Sequence, residues 1–340
     1  MIPMRQTKLW LAFVVVWFGL VTVSAYADTA DPLTEKRDAQ AWLKKIQSAA
    51  QKLNYCGTFV YQQANQVRTS RITHVLDGKN ELEKLEILDG KQREYIRKND
   101  DVACYIPESR TILVEKGFTQ DFFPAMLAAN SADLEEHYEV RKMDGGRVAG
   151  YDCQVIVLEP KDNLRYGYRL WAEKNSGLLL RAQTLNEHHD VLEQITFAQV
   201  VIGGIDKSSV RSSFANTGGW HLEISPMTEA ASLNWSVTAV PAGFKKIHEF
   251  KRMVADRGTN PLPGAMVTQH EVAQMVFSDG LAAISVFVEP GSQSGTEESL
   301  QQGAMNIVGK RQGDYWLTIV GEVPAAAIRN VANSIEFKSK

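Results

Sequence analysis

Few of the histidines, carboxylates and hydroxyls in this 340-residue chain stand at spacings that perform chemistry. His188-His189-Asp190 is the one local cluster of metal-ligand types. Neighbouring strand residues point to opposite faces, and a structural zinc site needs about four converging ligands, so the cluster is expected to be a solvated hairpin. Glu135-Glu136-His137 has acid and base side chains, but three consecutive polar residues mark a wet turn. The chain has no G-x-S-x-G, H-E-x-x-H, Walker A lysine loop or dinucleotide G-x-G-x-x-G. No catalytic residues, metal or cofactor are therefore expected. A hydrolase would need a triad assembled purely by geometry. Cys56, Cys104 and Cys153 allow one disulfide with one thiol left over. None lies in a C-x-x-C, and the sequence does not choose a pair.

Alternating aromatic and aliphatic positions are abundant instead. Phe59, Tyr61, Ile72, Leu85, Ile87, Ile112, Val114, Tyr168 and Leu170, with Ile195 and Phe197, are expected along the concave side of a curved sheet. There they would serve as core and as the lining of a hydrophobic-ligand groove. A second feature is a basic strip. Lys245, Lys246, Lys251, Arg252 and Arg257 outnumber Glu249 and Asp256 within 234–257. Such a strip attracts an acidic partner or a lipid phosphate, and it equally suits an ordinary solvated strand face. A net charge of −3 does not fit a general nucleic-acid binder.

Positioning these side chains takes two domains, at roughly 100–200 residues each. Residues 1–27 read as a cleaved signal peptide: Arg5 and Lys8, an uncharged run from Leu9 to Val23, then Ala25-Tyr26-Ala27. That run is shorter than the ~20 apolar residues of a membrane span. Residues 33–54 form an amphipathic helix with Leu43, Ile46, Ala50 and Leu53 on one face. The period then changes to two, in runs separated by Asp77-Gly78, Asp89-Gly90, Asn99-Asp100, Gly145-Gly146 and Asn175-Ser176-Gly177. The fold class is mainly β with α+β: residues 28–203 as a curved, antiparallel, half-open β-barrel around a helix, and residues 234–340 as a smaller α+β domain. Gly203-Gly204, Ser208-Ser209, Ser212-Ser213 and Gly218-Gly219 mark 204–233 as linker.

Several blocks then carry a resemblance. Gly57-Thr58-Phe59-Val60-Tyr61, Leu88-Asp89-Gly90 and Arg165-Tyr166-Gly167-Tyr168 come first. Gly177-Leu178-Leu179, Leu192-Glu193-Gln194 and Pro241-Ala242-Gly243-Phe244 follow. The series ends with Phe277-Ser278-Asp279-Gly280-Leu281, Ser285–Glu289 and Thr318–Pro324. In this order they resemble the RseB/MucB family of periplasmic regulators of the envelope-stress sigma factor, sigma-E. The resemblance implies an N-terminal domain like the lipoprotein carriers LolA and LolB. It implies binding to the periplasmic domain of a membrane-spanning anti-sigma factor, which is shielded from the site-1 protease. It further implies release by lipopolysaccharide or lipoprotein acyl chains, and a homo-oligomer. Lys245, Lys246, Lys251 and Arg252 are the expected partner or phosphate surface. A lipoprotein carrier or chaperone is the alternative, against which the second domain counts.

Overall fold

The computed structural model describes residues 32–116, 123–127, 134–214, 216–226, 228–229, 233–255, 269–291 and 297–338. The expected signal peptide lies outside these residues, as do Asp256 and Arg257 of the basic strip.

The chain enters through α1 (Pro32–Lys52) and continues into β1 (Tyr55–Gln63), β2 (Gln66–Asp77), β3 (Asn80–Ile87), β4 (Arg93–Lys98), β5 (Asp101–Ile106) and β6 (Thr111–Lys116). After α2 (Leu134–His137) come β7 (Tyr138–Val148), β8 (Tyr151–Pro160), β9 (Gly167–Glu173), β10 (Leu179–Leu185) and β11 (Val191–Ile202). These strands and β12 (His221–Pro226) make one 12-stranded sheet, in the order β12-β6-β5-β4-β3-β2-β1-β11-β10-β9-β8-β7. β12 and β7 are its edges, so the barrel is half-open, as the pattern predicts. Every pairing is antiparallel except β12 on β6.

The helix lies on one face of this sheet because its apolar stripe needs cover. Ala39, Leu43, Ile46 and Ala49 are buried in one cluster with Ile156, Leu158, Leu170 and Leu179. Each such leucine or isoleucine contributes about 1.5–3 kcal/mol on burial.

Gly145-Gly146 differs from expectation, because β7 runs through it to a turn at Ala149-Gly150. The glycines form a register shift. A Cβ on Gly145 would stand 2.8 Å from the Cys153 carbonyl oxygen, and one on Gly146 3.0 Å from the Trp171 ring nitrogen. Close packing, not turning, requires glycine there.

The stretch expected as linker is not all linker: β12 belongs to the first sheet and β13 (Thr228–Glu229) to the second, and residues 207–214 lie back on β2 to β5. The buried Lys84 ammonium donates to the Ser213 hydroxyl at 2.7 Å and pairs with Glu94 at 3.5 Å. Glu94 accepts from the Ser212 hydroxyl and the Ser213 N–H. Phe214 and Trp220 pack on Tyr105, and β12 then joins the edge. Serine-rich composition reads as loop; the buried ion pair that anchors it is not visible in a local pattern.

The second sheet is built from β13 (Thr228–Glu229), β15 (Lys245–Ala255), β16 (Gln269–Ser278), β17 (Ala283–Pro290), β18 (Glu298–Gln302), β19 (Met305–Gln312) and β20 (Tyr315–Gly321). Their order is β13-β15-β16-β17-β20-β19-β18. β14 (Trp235–Val237) and β21 (Ile335–Phe337) pair separately, and α3 (Ala325–Asn333) buries Ala327, Ile328, Val331 and Ala332. No described helix is long and apolar enough to cross a membrane.

Candidate functional site

Cross-strand partners share a face, so register assigns each expected groove residue to one or other side of the first sheet. Ile72 pairs with Leu85, Leu85 with Tyr95, Phe59 with Phe197 and Tyr61 with Ile195. Tyr168 and Leu170 continue the same face through Thr184 and Ala182. Phe59, Tyr61, Ile72, Leu85, Ile87, Tyr168 and Leu170 therefore share the concave side. Ile112 and Val114 do not. Ile112 pairs with Tyr105 and Val114 with Ala103, on the side that carries Lys84 and Glu94. Strict alternation alone gives no phase between distant strands, so the sequence could not separate the two sets.

The concave side is itself graded. Phe59, Ile72, Tyr168 and Leu170 are closed into the core, and Leu85 packs partly buried against it. Ile87 is half-buried. Phe59, Phe123 and Phe197 form an aromatic triad with centroids 5.1–6.1 Å apart. Tyr61 turns its hydroxyl to Glu193 at 2.8 Å.

The basic strip is divided. Lys251 pairs with Glu271 at 2.8 Å, Lys246 pairs with Glu249, and Arg252 stacks on Phe287. Lys245 is exposed. Lys251 and Arg252, adjacent on β15, point to opposite faces.

The densest polar constellation lies where the two sheets meet. The Arg165 guanidinium is fully buried and donates to Asp162 and, at 3.1 Å, to Asp279 of the second sheet. Its remaining nitrogen donates to the Ala242 carbonyl. The Tyr138 hydroxyl donates to the same Asp279 oxygen at 3.1 Å. The other Asp279 oxygen accepts the Leu281 and Ala282 N–H groups. The Tyr138 and Phe244 rings flank the guanidinium at 5.5 and 5.6 Å. Burial first, then Asp279, raises the Tyr138 phenol well above its ordinary range, so it remains a donor. Asn306 donates to the Tyr166 hydroxyl and the Val323 carbonyl, and Gln63 donates to the Gln302 carbonyl.

Two glycines permit this approach. Gly243 has φ +84°, and a Cβ there would stand 2.2 Å from His137. Gly303 has φ +58°, and a Cβ there would stand 2.4 Å from Gln63. A cleft of about 470 Å³ opens beside the junction between Tyr166, Leu185, Glu187, Gln301 and Pro324.

No group of three or more His, Cys, Asp or Glu converges among the described residues. His188-His189-Asp190 is the β10–β11 turn, with the Asn186 side chain accepting from the His188 and Asp190 N–H groups. The three cysteines are unpaired thiols.

Two family models match the chain: the MucB/RseB N-terminal domain over residues 38–214 and the MucB/RseB C-terminal domain over residues 229–336. The chain belongs to the MucB/RseB family. It is 26% identical over 325 residues to the sigma-E factor regulatory protein RseB of Salmonella typhimurium, covering 95% of this chain and 98% of that one. It is 29% identical over 320 residues to the sigma factor AlgU regulatory protein MucB of Pseudomonas aeruginosa, covering 90% and 93%. A solved MucA/MucB complex from Pseudomonas aeruginosa matches with TM-score 0.68 at 25% identity, covering 89% of this chain and all of that one. A solved structure of MucB in complex with MucA(peri) matches with TM-score 0.66 at 26% identity over the same shares.

Three blocks that carried the resemblance, Arg165–Tyr168, Pro241–Phe244 and Phe277–Leu281, converge on this junction. Nothing in their local sequence shows that role. Tyr138 and Asn306 had no signal at all. A lone arginine beside a strand rich in tyrosine and an Asp-Gly turn far along the chain were the available signs for Arg165 and Asp279.

Proposed function

We propose that this chain is a periplasmic negative regulator of an envelope-stress sigma factor. It is exported by residues 1–27, binds the periplasmic segment of a membrane-spanning anti-sigma factor and shields that segment from the site-1 protease. Lipopolysaccharide or lipoprotein acyl chains release it by occupying the concave side of the first sheet, and it works as a homo-oligomer. The observation that carries the reading is the match, across 89% of this chain, to MucB in complex with MucA(peri). Release requires that ligand and partner prefer different arrangements, since a ligand binding both equally shifts nothing.

The direct test is capture of the anti-sigma factor's periplasmic segment by chain 28–340, with and without lipopolysaccharide. Capture that lipopolysaccharide weakens is expected. Lipid binding without capture would favour a lipoprotein carrier and leave the second sheet without a role. Ile87→Glu, on the concave side, should abolish the lipopolysaccharide effect; Val114→Glu, on the opposite side, should leave it. Equal responses of the two variants would refute the concave-side site.

For Lys245, Lys246, Lys251 and Arg252 as partner or phosphate surface, the double variant Lys251→Glu/Arg252→Glu is the test. Partner affinity at low salt should fall about tenfold, as removal of charge complementarity predicts. An unchanged affinity removes these residues from the interface.

A further inference from the structure

Ile112 and Val114 lie on the side of the first sheet opposite the concave one, and β12 extends that side to its rim. In the β6–β12 register Leu222 stands beside Ile112 and Ile224 beside Val114. Leu222 is 55% exposed and Ile224 53%, while Ile112, Val114 and Tyr105 are half-buried. Together they form a contiguous apolar patch at the edge of the sheet, and exposed patches of this kind mark contact surfaces. The other edge is guarded. On β7, Lys142 pairs with Asp38 of α1 at 2.8 Å, and charge with helix cover is what keeps a strand edge from pairing.

The backbone at the β12 edge is open in a definite pattern. The His221 N–H donates to the Arg110 carbonyl at 2.8 Å across the parallel pairing. In a parallel pair one residue directs both its backbone polar groups to the neighbour, and the next directs both away. His221 and Glu223 are thus committed to β6, and the N–H and carbonyl groups of Leu222 and Ile224 face outward. β13 begins two residues after Pro226, so the exposed part of the edge is His221–Ile224.

We propose that β12 is the dimerisation edge of this chain: two copies join antiparallel, β12 to β12, about a two-fold axis at Leu222. The inference rests on the homo-oligomer proposed above and names its surface. Two-fold pairing requires outward residues to meet outward residues, which leaves three registers. Leu222 set against Ile224 of the second copy would oppose Glu223 to Glu223, and like charges directly opposite destabilise a strand pair. Ile224 set against Ile224 would oppose Leu222 to Pro226, which has no N–H to give. Leu222 set against Leu222 avoids both. It brings His221 of each copy opposite Glu223 of the other, in the closer, non-hydrogen-bonded positions, where an imidazole N–H can donate to the carboxylate. On the other face of the ribbon, the two apolar patches meet at Leu222. A self-complementary contact of this kind closes as a dimer and does not grow into a fibre.

Sedimentation of chain 28–340 at low salt reads the pairing without lipid or anti-sigma factor. A reversible dimer is expected for the wild type. Leu222→Lys, which sets two ammonium groups on the axis, should raise the dissociation constant at least about tenfold. Its urea midpoint should stay that of the wild type, because the side chain is exposed. His221→Glu opposes two carboxylates and should weaken the dimer several-fold, whereas the exchange His221→Glu/Glu223→His should restore it. Leu300→Lys, on the exposed edge strand β18 of the second sheet, should leave the dimer intact. A dimer that survives Leu222→Lys, or an exchange variant no tighter than His221→Glu, overturns the β12 edge and leaves the homo-oligomer standing on another surface. A wild-type chain that stays monomeric at its highest soluble concentration overturns both.

Discussion

Arg165→Ala should cost the folded chain about 3–5 kcal/mol, the loss seen when one partner of a buried ion pair is removed. Asp279 is 1% exposed and accepts from the Tyr138 hydroxyl and from the Leu281 and Ala282 N–H groups. Without the guanidinium, only neutral donors remain to compensate that carboxylate. The Ala242 carbonyl also loses its donor, and the Tyr138 and Phe244 rings lose the cation between them. Urea denaturation of chain 28–340, followed by tryptophan fluorescence, measures the loss. Junction segments should lose hydrogen-exchange protection before the cores of either sheet.

The paired replacement Arg165→Met/Asp279→Leu separates two accounts of the same loss. If the single variant suffers chiefly from an uncompensated Asp279, removing both charges should recover most of the stability, because apolar substitutes for buried pairs are often neutral or better. If the hydrogen bonds to Ala242 and Asp162 dominate instead, the double variant remains as unstable as the single one. A loss below about 1 kcal/mol in Arg165→Ala, the ordinary value of an exposed pair, would contradict the buried junction itself.

What the sequence disclosed and what it hid divide along one physical line. Local periodicity located α1 and the alternating runs of the first sheet, because an apolar stripe or an alternation is a property of neighbouring residues. It also selected Phe59, Ile72, Tyr168 and Leu170 as inward-facing. Ile112 and Val114 escaped because their face depends on register passed from β1 through β6, each pairing adding one condition. The junction escaped for a stronger reason. Arg165 and Asp279 are 114 positions apart, and their meeting depends on how two separate sheets dock. The family resemblance marked these blocks, whereas their geometry explains why those residue types stand there: a buried cation needs a buried anion, and Gly243 and Gly303 let the backbones close around it.

The first sheet's core supplies the other large effect. Phe197→Ala should destabilise the chain by about 3–5 kcal/mol, the range for removing a buried phenylalanine. Phe197 is 2% exposed and meets both Phe59 and Phe123. It also lies against Gly57, where an added Cβ would stand 2.6 Å from its ring. Losing the ring removes the shared neighbour of β1 and the 123–127 segment, so the cavity cannot be filled by moving one side chain. Denaturation of Phe197→Ala beside Ile112→Ala checks the assignment of faces. Ile112 is half-buried on the opposite side and should cost less than half as much. Phe197→Leu, which retains most of the apolar volume, should recover more than half of the loss. Equal costs at 197 and 112 would mean that the concave side is not the closed core, and would move the candidate acyl-chain site away from Leu85 and Ile87. The predicted difference instead leaves Leu85 and Ile87, half-buried beside that core, as the residues at which the proposed acyl-chain site is tested.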